Sequence, residues 1–225
     1  MPVSATTIDH VRRACGAAAL EKLAEMPFDQ LTCGAVIEHA DLGEDTALAG
    51  RLFTSVAGMV EQGLRDRDQA VLVRLAEDFD ADTEASIHDK VLEGLIARYE
   101  DFTPIRTAFR HLNKAATRDP MLAAMLITCL NEASRGLLNI AGADTDGLVG
   151  MARVKGISGV ALACHRDWLN DDTDDLSATI RSLDKRLKQA EDLAQLLRLI
   201  DRDDCLLYTS PSPRDNSGSR MPSSA

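Results

Sequence analysis

The chain of 225 residues has a formal net charge of −11 and is 45% hydrophobic, enough to bury the core of one or two domains without disulfide or metal staples. That charge repels polyphosphate at long range, so binding nucleic acid requires a local basic patch. The N-terminus MPVSATTIDH has no basic stretch leading into an apolar run, and no window approaches the roughly 18 to 20 apolar residues of a membrane span, so a soluble cytoplasmic protein is expected.

From Thr6 to Ile200 apolar residues recur at intervals of three and four, and nothing alternates with period two for long enough to make a strand, which predicts an all-α protein. The first helix is expected over Ile8 to Glu25. After the turn MPF, Thr32 can cap a second helix by accepting from a free amide of its first turn. The turn ADLG then leads to a third helix beginning near Glu44, and Ser55 to Glu77 makes a long fourth. DFDADTEAS breaks the pattern. The expected units are 1–54, a small three-helix unit, 55–82, a connecting helix, and 83–204, a larger helical unit.

The larger unit opens with a helix over Ile87 to Phe102, followed by one with Pro104 in its first turn, where a missing amide costs nothing. Asp119 caps the next. Its segment Met121 to Leu130 is apolar almost all round and is expected to be surrounded by neighbours. Two last helices, Leu148 to Leu169 and Asp174 to Ile200, are joined by NDDTDD, in which Asp174 or Thr173 is expected to cap and the other acids to be solvated. The last helix carries a narrow seam of Leu176, Ile180, Leu183, Leu187, Ala190, Leu193 or Ala194, and Leu197, the spacing that packs against another helix.

Residues 205–225, CLLYTSPSPRDNSGSRMPSSA, lack helical periodicity and resemble a translated sequencing adapter, so no folded structure is expected there. Their Arg214, Asp215 and Arg220 give +1, leaving −12 on residues 1–204. Cys15, Cys33, Cys129, Cys164 and Cys205 form no CxxC pair and read as small hydrophobes in a reducing compartment.

The stretch HADLGEDTALAGRLF, His39 to Phe53, has the form of the turn and second helix of a helix-turn-helix. Together with FDQLTCGAVIEHADL, with Phe28, Leu31, Thr32, Val36 and Ala40 placed around it and Phe53 closing the third helix, it resembles the tetracycline-repressor (TetR) family. RDPMLAAML, GLVGMARVKG and DWLNDDTDDLSATIRSLDKRLKQAEDL resemble the ligand-binding and dimerisation half of that family. The resemblance spans about residues 8–197. It implies a homodimeric, cytoplasmic transcriptional regulator with an N-terminal helix-turn-helix domain and a C-terminal helical domain. The implied DNA contacts fall on Arg12, Arg13, Thr32, Thr46 and Arg51. The chain departs from the pattern at Asp41, where the family places Gly, and at Val56, where it commonly places a phosphate-binding Lys. The turn to Phe53 is also about two residues longer. The last motif equally resembles the lipid-binding accessory family of ubiquinone biosynthesis, which shares the fold and implies a non-DNA-binding lipid or quinone carrier.

Charge argues against DNA reading. Phe28 to Asp68 contains eight acids (Asp29, Glu38, Asp41, Glu44, Asp45, Glu61, Asp66, Asp68) against Arg51, Arg65 and Arg67, whereas a DNA-facing module leans the other way. Glu44 and Asp45 have a simpler role, since carboxylates in a first helical turn favour the helix dipole.

An apolar effector pocket is expected from Phe109, Leu112, Met125, Cys129, Leu138 and Trp168. A dimer interface is expected from the small residues Ala152, Gly156, Gly159 and Ala163 with Ile180, Leu183 and Leu187. The dispersed histidines show no zinc spacing, and no nucleophile, base and acid stand in a catalytic frame. No enzyme activity, metal or cofactor is expected.

Overall fold

A computed structural model describes residues 4–173 and 175–196, and among these every regular element is a helix. The chain forms α1 (Ala5–Glu25), α2 (Cys33–His39), α3 (Thr46–Leu52), α4 (Val56–Ala81), α5 (Ile87–Phe102), α6 (Arg106–Ala116), α7 (Pro120–Ile140), α8 (Gly147–Leu169) and α9 (Ser177–Leu196). The expected all-α class therefore holds. The adapter-like tail and the end of the Leu176 to Leu197 seam lie outside the described residues.

Short polar side chains start most of these helices. Ser4, Thr32, Ser55 and Ser86 each accept from the amide three residues on, and Asp119 accepts from Met121 and Leu122, ahead of Pro120 in the first turn. Thr32 and Asp119 are the caps the sequence indicates. Several boundaries differ from expectation, α1 beginning at Ala5 and α9 at Ser177 among them. The third helix begins at Thr46 because a 3-10 turn over Gly43–Asp45 consumes the residues before it. The fourth continues past Glu77 to Ala81, where Phe79 still finds a buried seat.

Helix α1 packs against α4 and α6, α4 against α5 and α7, α7 against α8, and α9 against α8 and α5. One hydrophobic core runs through all of them, from Val11 to Leu187, so the expected boundary in DFDADTEAS is a break between helices rather than between cores. Val36 is fully buried, and Ala40 and Phe53 are partly buried against the same core.

Helices α1 and α4 approach closely at two glycines. A Cβ on Gly16 would stand 2.7 Å from the Gly63 amide nitrogen and 2.8 Å from its Cα, and a Cβ on Gly63 would drive into the Gly16 carbonyl. Backbone meets backbone there, and a larger residue has no flexible neighbour to displace.

Two expectations about apolar segments are corrected. Met121 to Leu130 is not enclosed: Met121 is 79% and Ile127 39% exposed, because α4, α6 and α8 cover only part of α7. Pro120–Ile140 and Gly147–Leu169 are also long and apolar enough, by length and composition, to cross a membrane, contrary to the expectation that no window is. A face of each is buried against the bundle.

Gly63→Ala should lower stability by about 2 kcal/mol, since overpacking against rigid backbone costs more than the improved helix propensity returns. Gly50→Ala, whose Cβ meets nothing within 4 Å, should leave stability unchanged or raise it. Thermal unfolding followed by circular dichroism separates the two, and equal midpoints would contradict the tight contact.

Candidate functional site

Three regions carry candidate function: the α2–α3 pair, the outer face of α8, and a cleft among α5, α7, α8 and α9.

At the first, Asp41 adopts φ 46° and Gly43 φ 54°. Two left-handed residues turn the chain, and Asp tolerates that conformation better than most residues. Leu48 and Ala49 face inward, leaving Thr46, Ala47, Gly50 and Arg51 exposed. The Thr32 hydroxyl accepts from the Ala35 amide at 3.2 Å, and the Thr46 hydroxyl donates to the Gly43 carbonyl at 2.7 Å. Both expected DNA-contacting hydroxyls thus already close local backbone. Arg12 and Arg13 are exposed on α1, where the Arg13 Nε donates to the Asp9 carbonyl. Other cations nearby are paired: Lys22 with Glu25 at 2.7 Å and His39 with Glu21 at 3.0 Å.

At the second, Gly156, Gly159 and Ala163 are exposed and Ala152 half-buried, so the small-residue stripe lies on one outward face as expected. A Cβ on Gly156 or Gly159 would meet nothing within 4 Å. Leu183 and Leu187 do not join this face. They are 0% and 2% exposed, because α9 turns its seam onto α8 and α5 of its own chain. Ile180 is half-buried. The sequence reading missed Leu148, Met151 and Leu162, exposed by 80%, 48% and 54%. Their positions, with Lys155, Gly159 and Arg166, repeat every three or four residues and mark an outer stripe, but the buried and exposed faces of α8 are both apolar and cannot be told apart by composition.

The expected pocket residues do not converge on one cavity. Leu112 is 0% and Trp168 1% exposed. Phe109 meets Trp168 edge-on at 5.3 Å, Phe102 at 5.0 Å and His165 at 5.6 Å, forming a packed aromatic layer. The Cys129 thiol lies 3.7 Å from the Met125 sulfur. Leu112, Trp168, Phe109 and Cys129 are buried and Met125 partly so, and of these Phe109 and Cys129 border a small cleft of about 80 Å³ beside Tyr99 and Ala161. Burial pushes the Cys129 thiol up to about 11 and, with the Arg98 charge second, holds His165 down at about 4, so Cys129 stays a thiol and His165 neutral at ordinary pH.

Only Leu138 of that set reaches the cleft among α5, α7, α8 and α9, an opening of about 470 Å³ bordered by Ile87, Val91, Ile157, Leu187, Ala190 and Ala194. Its polar edge includes His88, Asp144, Arg153 and Glu191. His88 Nδ1 lies 2.7 Å from Glu191 and its Nε2 3.9 Å from Asp184, tying the start of α5 to α9. Among the described residues no three His, Cys, Asp or Glu side chains gather to hold a metal ion.

The α9 wall is held by a residue expected to be solvated. Asp171 is 3% exposed and accepts from the amide and hydroxyl of Thr179, both at 2.7 Å, and from the amide and hydroxyl of Thr173. Thr173 and Asp175 accept from the Ser177 amide. The cap is therefore spread over Asp171, Thr173 and Asp175, while Asp174 lies outside the described residues.

Compared with known proteins, the chain matches no family model and no curated sequence.

Burial raises the Asp171 carboxyl, but its hydrogen bonds from Thr173 and Thr179 outweigh that and bring it down to about 2. A depressed carboxylate stabilises the fold above its unfolded value, near 3.8, and the contribution is lost as pH falls through the folded one. Asp171→Ala should cost about 2 kcal/mol at neutral pH by orphaning the buried Thr179 donors. Its loss of stability on acidification between those two values should be shallower than in the parent, and parallel acid limbs in denaturant titrations would refute the role.

Proposed function

We propose that the chain is a TetR-like transcriptional regulator, homodimeric and responsive to a small apolar effector. The observation that supports this best is the α2–α3 pair. A Thr-capped helix, a left-handed turn at Asp41 and a short helix together present Thr46, Ala47, Gly50 and Arg51 outward, while Val36 and Ala49 bury the inner side in the common core. Small side chains let a helix backbone enter a major groove closely, and Arg51 makes no ion pair among the described residues. Dimerisation through the exposed face of α8 would bring two such pairs to one duplex and bury Met151 and Leu162.

A second reading, a lipid or quinone carrier on the same fold, draws support from the acid pairing of Lys22 and His39 and from the open cleft. The two differ in salt dependence. A dimer contacting about four phosphates, through Arg12 and Arg51 of each subunit, should lose roughly 100-fold in affinity between about 50 and 200 mM salt. Arg51→Glu should abolish retention of DNA flanking the gene. Salt-insensitive binding, or none at low salt, would favour the carrier.

Gly159→Arg, at a position where an added Cβ meets nothing within 4 Å, should convert the dimer to monomer in sedimentation without lowering the thermal midpoint. A dimer that survives this substitution would remove α8 from the interface.

A further inference from the structure

We infer that the groove between α4 and α5 receives helix α6 of a second copy of the chain, a heterologous contact made through opposite charge and separate from the α8 face. The division of charge along the chain carries this. Residues 1–101 hold 20 Asp and Glu against nine Lys and Arg, a net of −11, whereas residues 102–170 hold five against eight, a net of +3. The part built from α1 to α5 is acidic and the part built from α6 to α8 basic. A molecule divided in this way offers its copies the complement of its own surface.

The acidic side has a groove of about 590 Å³. Buried Leu75 and Ala97 form its floor with half-buried Ile96, and Arg74, Glu93, Glu100 and Asp101 edge it. Most cations of α4 and α5 are engaged elsewhere: Arg65 pairs with Glu61 and Glu132, Arg67 with Asp101 and Arg98 with Asp68, while Lys90 donates to the Phe79 carbonyl. Glu93 and Glu100 form no ion pair among the described residues. They stand two helical turns apart on α5, about 10 Å.

The basic side has a ridge. Helix α6 contains no acid, and it buries Ala108, Phe109 and Leu112. Its outer side exposes Thr107, Arg110, Asn113 and Lys114, and exposed Arg118 follows in the turn beyond. Neither Lys114 nor Arg118 is ion-paired among the described residues, and the adjoining Asp119 is occupied as the cap of α7. Arg110 to Arg118 covers about two turns, as Glu93 to Glu100 does. A convex row of cations therefore meets a concave row of acids at matching length.

Exposed pairs of this kind contribute little each, so the contact is weak and depends on several together. Sedimentation velocity of the full chain across a dilution series tests it. The parent should associate in about 0.1 M salt and lose that association in about 1 M, as the screening length falls from about 10 to about 3 Å. Glu93→Lys with Glu100→Lys should weaken it at least about fivefold, although the net charge moves from −11 to −7 and general repulsion between copies eases. Glu38→Lys with Glu44→Lys, the same charge change on α2 and the turn before α3, should not weaken it. Lys114→Glu with Arg118→Glu should weaken it as the first pair does, and the chain carrying all four groove and ridge reversals should recover it. Glu93→Gln with Glu100→Gln serves if the lysine pair loses its helical circular dichroism. Gly159→Arg should leave the salt-sensitive association in place, so this contact and the α8 dimer can fail separately. No salt-sensitive association of the parent, association that follows net charge whatever the site of substitution, or no recovery in the fourfold variant would each overturn the assignment.

Discussion

The contact of Gly16 with Gly63 determines how the rest of the molecule can be arranged. It brings the α1 and α4 backbones close enough that Leu20 and Leu23 on one helix and Met59, Val60 and Leu64 on the other form one interior. Since α2 and α3 pack on α1, while α5 and α7 pack on α4, this junction couples the candidate DNA-reading end to the body. Separating the two helices by even one methyl would strain everything mounted on them, because close-packed interiors transmit displacement instead of absorbing it.

Beyond that junction the body is held by polar groups whose needs are met inside it. Arg98 on α5 reaches Asp68 on α4 at 2.6 Å and stacks over Phe102 at 4.7 Å. The Tyr99 hydroxyl donates to the Ala161 carbonyl at 2.6 Å, and the Trp168 indole donates to Thr103. Such pairs contribute little net stability against an apolar replacement, yet losing one partner leaves a buried group unsatisfied. They fix which face of α5 meets α4 and α8. Asp171 does the same for α9, gathering four donors from two threonines.

How legible each part was follows from the range of the interaction. Thr32, Asp119 and Asp41 act within a few residues of themselves, so the sequence alone indicates caps and turn. The all-helical class also follows, because the three-and-four periodicity is repeated along every segment. Leu183 and Leu187 illustrate the limit. Their spacing marks a packing seam, but a seam packs equally well on a twin or on its own subunit, and only the placement of α5 and α8 selects the latter. Phe109 and Trp168 show the same ambiguity for pockets: residues suited to line a cavity are equally suited to fill it. Gly16 and Gly63, 47 positions apart, become meaningful only once α1 and α4 are side by side.

The cleft reverses the usual signal for a site. Large apolar residues of this chain are consumed in the aromatic layer, and the open volume arises where Gly142, Ala152, Gly156, Ala190 and Ala194 decline to fill it. A feature made of missing side chains leaves little trace in composition. The acids around it, moreover, belong to the same excess that makes the α2–α3 region a poor general polyanion binder. The negative charge of the chain therefore bears on both regions. Around Arg51 it opposes long-range attraction of a polyanion, whereas at the rim of the cleft Asp144 and Glu191 outnumber Arg153. Residues of α5, α8 and α9 border that cleft together, and α5 packs on α4, the helix that meets Gly16, so the cleft is mechanically continuous with the α1–α4 junction.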